Sequence, residues 1–181
     1  MVSIGYKVFL AAMLAVGADG HVDGKHTAVA ARAIWVEAHG VGEDPLLVAA
    51  VAYEESRWKW AVSGAGACGI LQVVPRFSRY TCRQMRSPRI AVRAGIAAIR
   101  YWRDRRKMGR RYRNFGWLCH YNSGNRCYAS SRRYAGRVLR VYRKLKSVAT
   151  RVSRPNAVVR GRHIPALARR GGRSKPHPHK R

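Results

Sequence analysis

A glutamate at the end of a predicted helix is the first residue of this chain whose position suggests acid–base chemistry. Asp44 is suited to cap the free N–H groups of a helix and Pro45 fits its first position, so the sequence predicts a helix that runs to about Glu55. At about 3.6 residues per turn, Val48, Val51 and Glu55 share one stripe, where helices normally carry apolar side chains. Poor hydration on such a stripe raises the pKa of a carboxyl group towards values that suit a general acid. The alternative is a solvated, frayed helix end.

A glycine-rich turn follows this predicted helix. Gly64, Gly66 and Gly69 lie close together, which lets the backbone approach another group, and Gln72 follows on a short apolar segment. A neutral amide such as that of Gln72 suits the recognition of sugar hydroxyl and acetamido groups. This neighbourhood favours the interpretation of Glu55 as an acid over that of a frayed helix end.

Three ordered motifs resemble a known family. They are Glu55-Ser56-x-Trp58 with the segment from Ser63 to Pro75, then Tyr121-Asn122-Ser123-Gly124, then Arg133-Tyr134-Ala135-Gly136-Arg137-Val138-Leu139. Together they resemble the signature of the soluble lytic transglycosylase (SLT) domains, which are lysozyme-like enzymes that cleave peptidoglycan. The resemblance covers about Asp44 to Leu145, and three motifs in order are far more specific than one.

The chain departs from the family pattern at several positions. The Asn-Pro that often follows Glu-Ser is missing, and Lys59-Trp60 occupies a connection one residue shorter than in many members. Leu71 and Val74 stand where Met is common, and His120 replaces the usual Ala. We interpret these as substrate or subfamily differences, because the proposed acid is retained.

The resemblance implies a fold, a reaction and a set of site residues. The implied fold is mainly α, of the lysozyme-like α+β superfamily, with a single compact helical domain and a glycan-binding groove. Glu55 would protonate the glycosidic oxygen between N-acetylmuramic acid and N-acetylglucosamine, and the muramoyl 6-hydroxyl would then close a 1,6-anhydro ring without water. No cofactor and no metal are expected. The implied substrate-binding residues are Ser63, Gln72, Tyr121, Asn122 and Tyr134, the last of which would orient Glu55.

The charge of the chain is strongly positive and unevenly distributed. It has 37 Lys and Arg against 8 Asp and Glu, a formal net charge of +29, and seven of the eight acids lie at or before position 55. Such a field attracts polyanions, which include nucleic acid and anionic envelope polymers, without choosing among them. We expect glycan strands of peptidoglycan as the partner, no specific nucleic acid, and a monomer.

The scarcity of acids limits the possible mechanisms. A glycosidase that uses two carboxylates holds them roughly 5 to 9.5 Å apart. We expect Asp104 to be a solvated ion-pair partner, and Glu43 and Asp44 to be committed to a turn and a helix cap. Glu37 and Glu54 remain, and Glu37 is predicted to lie on the surface. A single-acid mechanism is therefore the economical interpretation.

The two ends of the chain are expected to lie outside the catalytic domain, which we place at residues 19–146. Residues 1–18 have one basic residue, a short apolar run and small residues before Asp19, a pattern typical of a signal peptide; an uncleaved anchor or an N-terminal helix are the alternatives. Residues 147–181 contain ten Lys or Arg and no acid, which predicts a disordered basic tail. This tail either solubilises the protein or tethers it to anionic envelope polymers. We expect export to the periplasm or cell exterior, or delivery by a phage, and no stable membrane span.

Further helices are predicted between these ends. Amphipathic patterns predict one at 27–39 and one from Ser87-Pro88 to about Lys107, the latter with apolar residues at a regular spacing. Residues 131–146 predict the last helix. The resemblance adds a short helix at 115–121, which leads into the Tyr121-Asn122 loop.

The four cysteines permit three disulfide pairings in an exported chain. We favour Cys68 with Cys82 and Cys119 with Cys127, because each bridge would clamp a loop that borders the proposed groove. A zinc site that includes Cys119, His120 and Cys127 is disfavoured, since the spacing differs from that of common zinc sites.

Two other functions remain open from the sequence. The first is a hydrolytic, goose-type lysozyme activity on the same fold, in which water replaces the 6-hydroxyl. The second is a non-catalytic cationic binder of envelope polymers or nucleic acid, which the charge supports but which leaves the pattern from Glu55 to Pro75 unexplained.

Overall fold

The computed structural model describes residues 4–105 and 115–154 of the 181-residue chain. Within these ranges the fold is almost entirely helical, and the β contacts are isolated bridges that join Val62 to Cys68 and Cys68 to Val73. The α-helices of the described ranges are α1 (Tyr6–Asp19), α2 (Gly24–His39), α3 (Pro45–Ser56), α4 (Pro88–Arg103), α5 (Trp117–Ser123) and α6 (Ala129–Ser153), with short 3₁₀ turns at Pro75–Phe77 and Gln84–Arg86. The mainly α-helical domain that the sequence predicts is confirmed.

Helix α3 lies at the centre of the core. Every residue from Leu46 to Tyr53 is buried, so the helix is apolar on all sides. As predicted, Asp44 caps its start: Oδ1 of Asp44 accepts a hydrogen bond from the backbone N–H of Leu46 at 2.9 Å, and Pro45 occupies the first helical position. The buried helix therefore holds its last turn in a fixed position.

A sharp turn ends α3 directly after Ser56. Arg57 and Trp58 both have left-handed backbone conformations, with φ of 54° and 59°. The chain folds back so that the indole Nε1–H of Trp58 donates to the carbonyl oxygen of Ala49 at 2.8 Å. Trp58 is buried, and it anchors the start of the glycine-rich turn against the helix that carries Glu55.

Helices α2 and α4 are joined through a buried carboxylate. Glu37 lies on α2 and is 9% exposed; it accepts hydrogen bonds from Nε of Arg89 at 2.6 Å and from Nε of Arg93 at 2.5 Å. These guanidinium groups lower the pKa of Glu37 against the opposing effect of burial. The prediction that Glu37 lies on the surface is wrong, because its partners come from a distant helix.

Glu43 is held in the same way at the turn before α3. It is 8% exposed and accepts hydrogen bonds from Arg100 at 2.7 Å and from Arg103 at 2.7 and 2.9 Å. Arg103 also contacts Asp104 at 3.2 Å, where the Asp104 side chain is 66% exposed, as expected for a solvated ion pair. The end of α4 is thus fastened to the loop that precedes the central helix.

Helix α1 coincides with the segment that the sequence favours as a signal peptide. Phe9 and Met13 are fully buried, and Phe9 packs against Trp35 of α2 with the ring centroids 5.5 Å apart. Nζ of Lys144 on α6 contacts Oδ2 of Asp19 at 2.6 Å. This packing favours the alternative interpretation of an N-terminal helix retained in the fold, and the signal peptide stays a prediction.

Helix α6 continues beyond the predicted domain boundary at residue 146. It ends at Ser153, and Val148 and Ala149 are buried against the rest of the domain. The boundary prediction is therefore too early, since the apolar residues of 147–153 extend the helix face of the preceding turns. The remainder of the predicted tail, residues 155–181, lies outside the described residues.

Two disulfides fasten the loops of the domain. Cys68 is joined to Cys82 and Cys119 to Cys127, with Cα–Cα separations of 5.5 and 5.6 Å, within the usual range for a bridge. This is the pairing that the sequence favoured. The first bridge spans the segment after the glycine-rich turn, and the second closes the loop after α5.

A helix that crosses a bilayer needs sufficient length and hydrophobicity. None of the helices within residues 4–105 and 115–154 is long and apolar enough to cross a membrane.

Candidate active site

Glu55 lies in the last turn of α3, where α6 crosses it. The carboxylate Oε1 of Glu55 accepts a hydrogen bond from the hydroxyl group of Tyr134 at 2.5 Å. Tyr134 is 3% exposed, whereas Glu55 is only partly buried. The hydrogen bond occupies one carboxyl oxygen, so a proton held by Glu55 resides on the other, Oε2.

The protonation of Glu55 is shifted towards neutral pH. The pKa of Glu55 is raised from 4.5 to about 7. Burial is the largest cause and the hydrogen bond from Tyr134 opposes it, while the charge of Glu54 acts in the same direction as burial and the charge of Arg137 in the opposite one. The group therefore exists as a mixture of acid and carboxylate near pH 7. This is the range in which one residue can donate a proton and later recover it.

Tyr121 connects α5 to the glycine-rich turn beside Glu55. Its hydroxyl group donates to the carbonyl oxygen of Leu71 at 2.7 Å. Burial, together with the charge of Glu55, raises the pKa of the Tyr121 and Tyr134 hydroxyl groups well above 10. Both tyrosines therefore remain protonated donors at neutral pH. Asn122 follows on α5 and is exposed.

Gln72 and Ser63 hold the glycine-rich turn together. Nε2 of Gln72 donates to the carbonyl oxygens of Ala61 at 3.0 Å and Gly69 at 2.9 Å, and Oγ of Ser63 accepts from the backbone N–H of Ala67 at 3.0 Å. Gln72 has a positive φ of 47°. These hydrogen bonds are structural, and the substrate contacts expected for the two residues stay predictions.

Ser56 is a site residue whose role sequence reasoning missed. Its hydroxyl group donates to the carbonyl oxygen of Ile70 at 2.8 Å, across the gap between the end of α3 and the glycine-rich turn. Tyr121 reaches Leu71, the next residue of the same turn. The turn is therefore fixed from both α3 and α5, next to Glu55. Ser56 directly follows Glu55 in the recognised motif, a position that could have indicated this role.

The other seven carboxylates of the chain have ion-pair or hydrogen-bond partners. All eight acids fall within the described residues, and six of them have a Lys, Arg or His nitrogen within 4.0 Å: Asp19, Asp23, Glu37, Glu43, Glu54 and Asp104. Asp44 is engaged by the backbone of Leu46 and by the hydroxyl of Tyr142. Among these residues Glu55 alone combines a raised pKa with the absence of a cationic partner within that distance.

A metal site is not supported by the described part of the chain. It contains no group of three His, Cys, Asp or Glu side chains that could hold a metal ion. Cys119 and Cys127 form a disulfide, so neither can supply the thiolate that zinc requires. His120 lies between Cys119 and Tyr121 in the sequence, and its ring stacks on that of Trp102 with the ring centroids 5.8 Å apart.

Comparison with known proteins agrees with this geometry. Residues 34–140 match the family described as the Transglycosylase SLT domain, which is more than half of the 181-residue chain and includes Glu55, the glycine-rich turn, Tyr121 and Tyr134. Searches of curated proteins and of solved structures returned no match. The chain therefore belongs to the transglycosylase SLT domain family, with its lysozyme-like fold.

Proposed function

We propose that this protein is a peptidoglycan lytic transglycosylase that cleaves the β-1,4 bond between N-acetylmuramic acid and N-acetylglucosamine and leaves a 1,6-anhydromuramoyl end. Membership of the SLT family supports lytic activity on peptidoglycan in general. The observation that carries the specific reaction is the combination at Glu55: a pKa of about 7, a hydrogen bond from Tyr134, and no second unengaged carboxylate among the described residues.

The proposed reaction begins with proton donation. Glu55 transfers the proton of its carboxyl group to the glycosidic oxygen as the bond from that oxygen to the anomeric carbon of the muramoyl residue breaks. The N-acetylglucosamine side leaves as an alcohol. The hydrogen bond from Tyr134 then stabilises the Glu55 carboxylate that has formed.

The second step restores the acid. The Glu55 carboxylate accepts the proton of the muramoyl 6-hydroxyl group, and the resulting oxygen bonds to the anomeric carbon to close the 1,6-anhydro ring. Glu55 ends the cycle protonated, and no water is consumed. A pKa near neutrality serves both directions of proton transfer, which a single residue must perform in this mechanism.

The remaining site residues would bind the glycan. Asn122 is exposed and follows Tyr121 in the sequence. The two residues match the Tyr-Asn motif that lies in the glycan groove of the family. Ser63 and Gln72 would act mainly through the turn whose shape they maintain, with Oε1 of Gln72 left to accept a hydrogen bond from a sugar. Tyr134 orients Glu55.

Hydrolysis is the alternative outcome on the same fold. It requires a group that activates water, and Glu54 is the carboxylate nearest to Glu55 in sequence. Glu54 is held by Nε of Arg137 at 2.8 Å, and its side chain is 7% exposed, so it is unavailable as a base. We therefore favour the anhydro product.

The setting of the reaction follows from the substrate and the disulfides. Peptidoglycan lies outside the cytoplasm, and two disulfides are typical of proteins in oxidising compartments. We propose action in the periplasm or at the cell exterior, for local wall opening during secretion, conjugation, phage entry or lysis. The basic residues of 155–181, outside the described structure, would tether the enzyme to anionic envelope polymers.

The function can be tested on purified murein sacculi. Release of soluble muropeptides by the wild-type protein and loss of that release in Glu55→Gln, with an unchanged circular dichroism spectrum, are the expected results. A folded wild-type protein that binds sacculi but releases nothing soluble would instead identify a non-catalytic envelope binder.

A further inference from the structure

The residue before the proposed acid is also held by α6. Nε of Arg137 contacts Oε2 of Glu54 at 2.8 Å, and Nη1 of Arg57 lies 3.8 Å from Oε1 of the same carboxylate. The side chain of Glu54 is 7% exposed and that of Arg137 is 46% exposed. A carboxylate buried to this degree requires a cationic or hydrogen-bonding partner to stay ionised.

Two adjacent carboxylates of α3 therefore contact one face of α6. Tyr134 and Arg137 are three residues apart, so they are neighbours on the helix surface. Tyr134 binds Glu55, Arg137 binds Glu54, and the guanidinium carbon of Arg137 lies 5.8 Å from the centre of the Tyr134 ring. Movement of α6 relative to α3 would disturb both contacts together.

The two partners of this ion pair have opposite electrostatic effects on Glu55. The charge of Glu54 raises the pKa of Glu55 and the charge of Arg137 lowers it. Burial is the largest influence, and Tyr134 acts by hydrogen bonding from α6, while Tyr121 faces Glu55 from α5. With both members of the pair present, their charges partly cancel at Glu55.

We propose that Glu54 and Arg137 are positioning residues for Glu55. Their ion pair fixes α6 across the end of α3, so that Tyr134 reaches Glu55, and it balances two opposite charges beside the acid. A role of the pair in catalysis rests on the proposed function of Glu55. The effect of the pair on the pKa of Glu55 is independent of that function. Arg57, whose side chain is 52% exposed, also lies within 3.8 Å of the Glu54 carboxylate.

The proposal predicts shifts of opposite sign in two single variants. Glu54→Gln removes a negative charge and leaves Arg137, so the pKa of Glu55 falls. Arg137→Met removes the positive charge and leaves Glu54, so the pKa of Glu55 rises. Each shift should be at least about 0.5 unit, because charges at such short range move carboxyl pKa values by about 1 unit or more when partly buried. In the double variant the two charge effects cancel, and the pKa of Glu55 should stay above the wild-type value because the hydrogen bond from Tyr134 is no longer held in place by the ion pair.

The test is a titration of the glutamate side-chain carboxyl carbons by ¹³C nuclear magnetic resonance. The chain has four glutamates, Glu37, Glu43, Glu54 and Glu55, and the signal of Glu55 is assigned from its loss in Glu55→Gln. The matched control is Arg140→Met, which removes an exposed positive charge one turn further along α6 without touching Glu54. It should leave the Glu55 titration within about 0.2 unit of the wild type, as expected for a solvent-screened charge.

The measurement separates positioning from simple stabilisation. Arg137→Lys keeps the charge and should keep the Glu55 titration closer to the wild type than Arg137→Met does. Shifts of the same sign in Glu54→Gln and Arg137→Met, or no shift in either while the melting temperature falls, would overturn the proposal and leave a merely stabilising ion pair. The titration uses no substrate, so an inactive wild-type protein would refute the proposed function without deciding this coupling. In an active protein, the alkaline limb of the pH–activity profile should move with the titration.

Discussion

The hydroxyl group of Tyr134 donates to Oε1 of Glu55 at 2.5 Å, across the junction of α6 and α3. This contact joins residues 79 positions apart in the chain. It fixes the carboxyl group, leaves Oε2 to carry the proton, and stabilises the carboxylate that forms when the proton is given away.

Removal of the Tyr134 hydroxyl should impair catalysis more than folding. Tyr134→Phe loses a hydrogen bond to a charged group, worth about 1.5 to 3 kcal/mol, which corresponds to a reduction of about 10- to 150-fold in kcat/KM if the bond acts in the transition state. The rate of muropeptide release from sacculi measures this.

The matched control for that variant lies on the same helix. Tyr142→Phe removes a hydroxyl group that donates to Oδ2 of Asp44 at 2.5 Å, away from Glu55. It should lower the melting temperature and leave kcat/KM within about twofold of the wild type, since the lost bond supports a helix cap. Equal losses of activity in the two variants would contradict a specific role for Tyr134.

Activity should decline as the pH rises through about 7. The first step needs protonated Glu55, whose pKa burial raises to about 7, so kcat/KM should fall tenfold per pH unit above that value. The profile is to be recorded at constant ionic strength, because a chain of net charge +29 binds anionic substrates in a salt-dependent manner. A profile that is flat up to about pH 9 would exclude Glu55 as the acid.

The same group should destabilise the fold at alkaline pH. The pKa of Glu55 is about 7 in the fold against 4.5 ordinarily, so its contribution is fully present below about pH 4.5 and is lost as the pH rises to about 7. Glu55→Gln removes this dependence and should exceed the wild type in free energy of unfolding at pH 8 by on the order of 1 to 3 kcal/mol, with little difference at pH 4. Denaturant unfolding at both pH values tests the sign. A variant less stable than the wild type at pH 8 would contradict it.

Helix α1 should be required for folding. Phe9 and Met13 are fully buried. Gly17 of α1 lies against Trp58, since a Cβ atom added at Gly17 would be 3.1 Å from the Trp58 ring, and Trp58 follows Glu55 by three residues in the sequence. Deletion of residues 1–18 should therefore abolish cooperative unfolding, because the lost burial of about 1.5 to 3 kcal/mol per large side chain approaches the whole stability of a small domain.

A pair of point variants on α1 gives a gentler form of this test. Phe9→Ala should cost about 3 to 5 kcal/mol, whereas Leu14→Ala, at a position that is 39% exposed, should cost much less. A truncated chain that unfolds with the same midpoint as the full chain would restore the signal-peptide interpretation, and the intact mass of the protein after export would show whether residues 1–18 are removed.

The disulfides should stabilise the loops next to Glu55. Replacement of Cys119 and Cys127 together by serine opens a bridge with a sequence separation of 8 and should cost about 2 to 3 kcal/mol. Because Tyr121 follows Cys119 on α5, activity should also fall. Denaturant unfolding and a thiol assay test this, and four free thiols in protein purified without reductant would contradict both bridges.

Local patterns sufficed to predict the elements that carry the site. The cap at Asp44 and the proline at the first position predicted α3 and placed Glu55 near its end, as the structure confirms, although the helix is buried on all sides rather than along one stripe. These features act within a few residues of the chain, so the sequence records them directly. The motif around Tyr134 likewise located the partner of Glu55 through the family resemblance.

Long-range ion pairs could not be predicted in this way. The carboxylate of Glu37 is buried because Arg89 and Arg93 come from a helix more than 50 residues away, and the contact between Glu54 and Arg137 spans 83 residues. Nothing in the local pattern distinguishes such acids from surface ones. The inward orientation of Gln72 similarly depends on the fold of the turn rather than on residue type.

The single-acid mechanism is tested most directly by mass spectrometry of the soluble products released from purified sacculi by the wild-type protein and by Glu55→Gln. This mechanism predicts wild-type products whose muramoyl ends lack one water relative to reducing ends, and no release above background from the variant. Reducing ends in the wild-type digest would show hydrolysis, and undiminished release by a folded Glu55→Gln protein would contradict the assignment of Glu55 as the single catalytic acid.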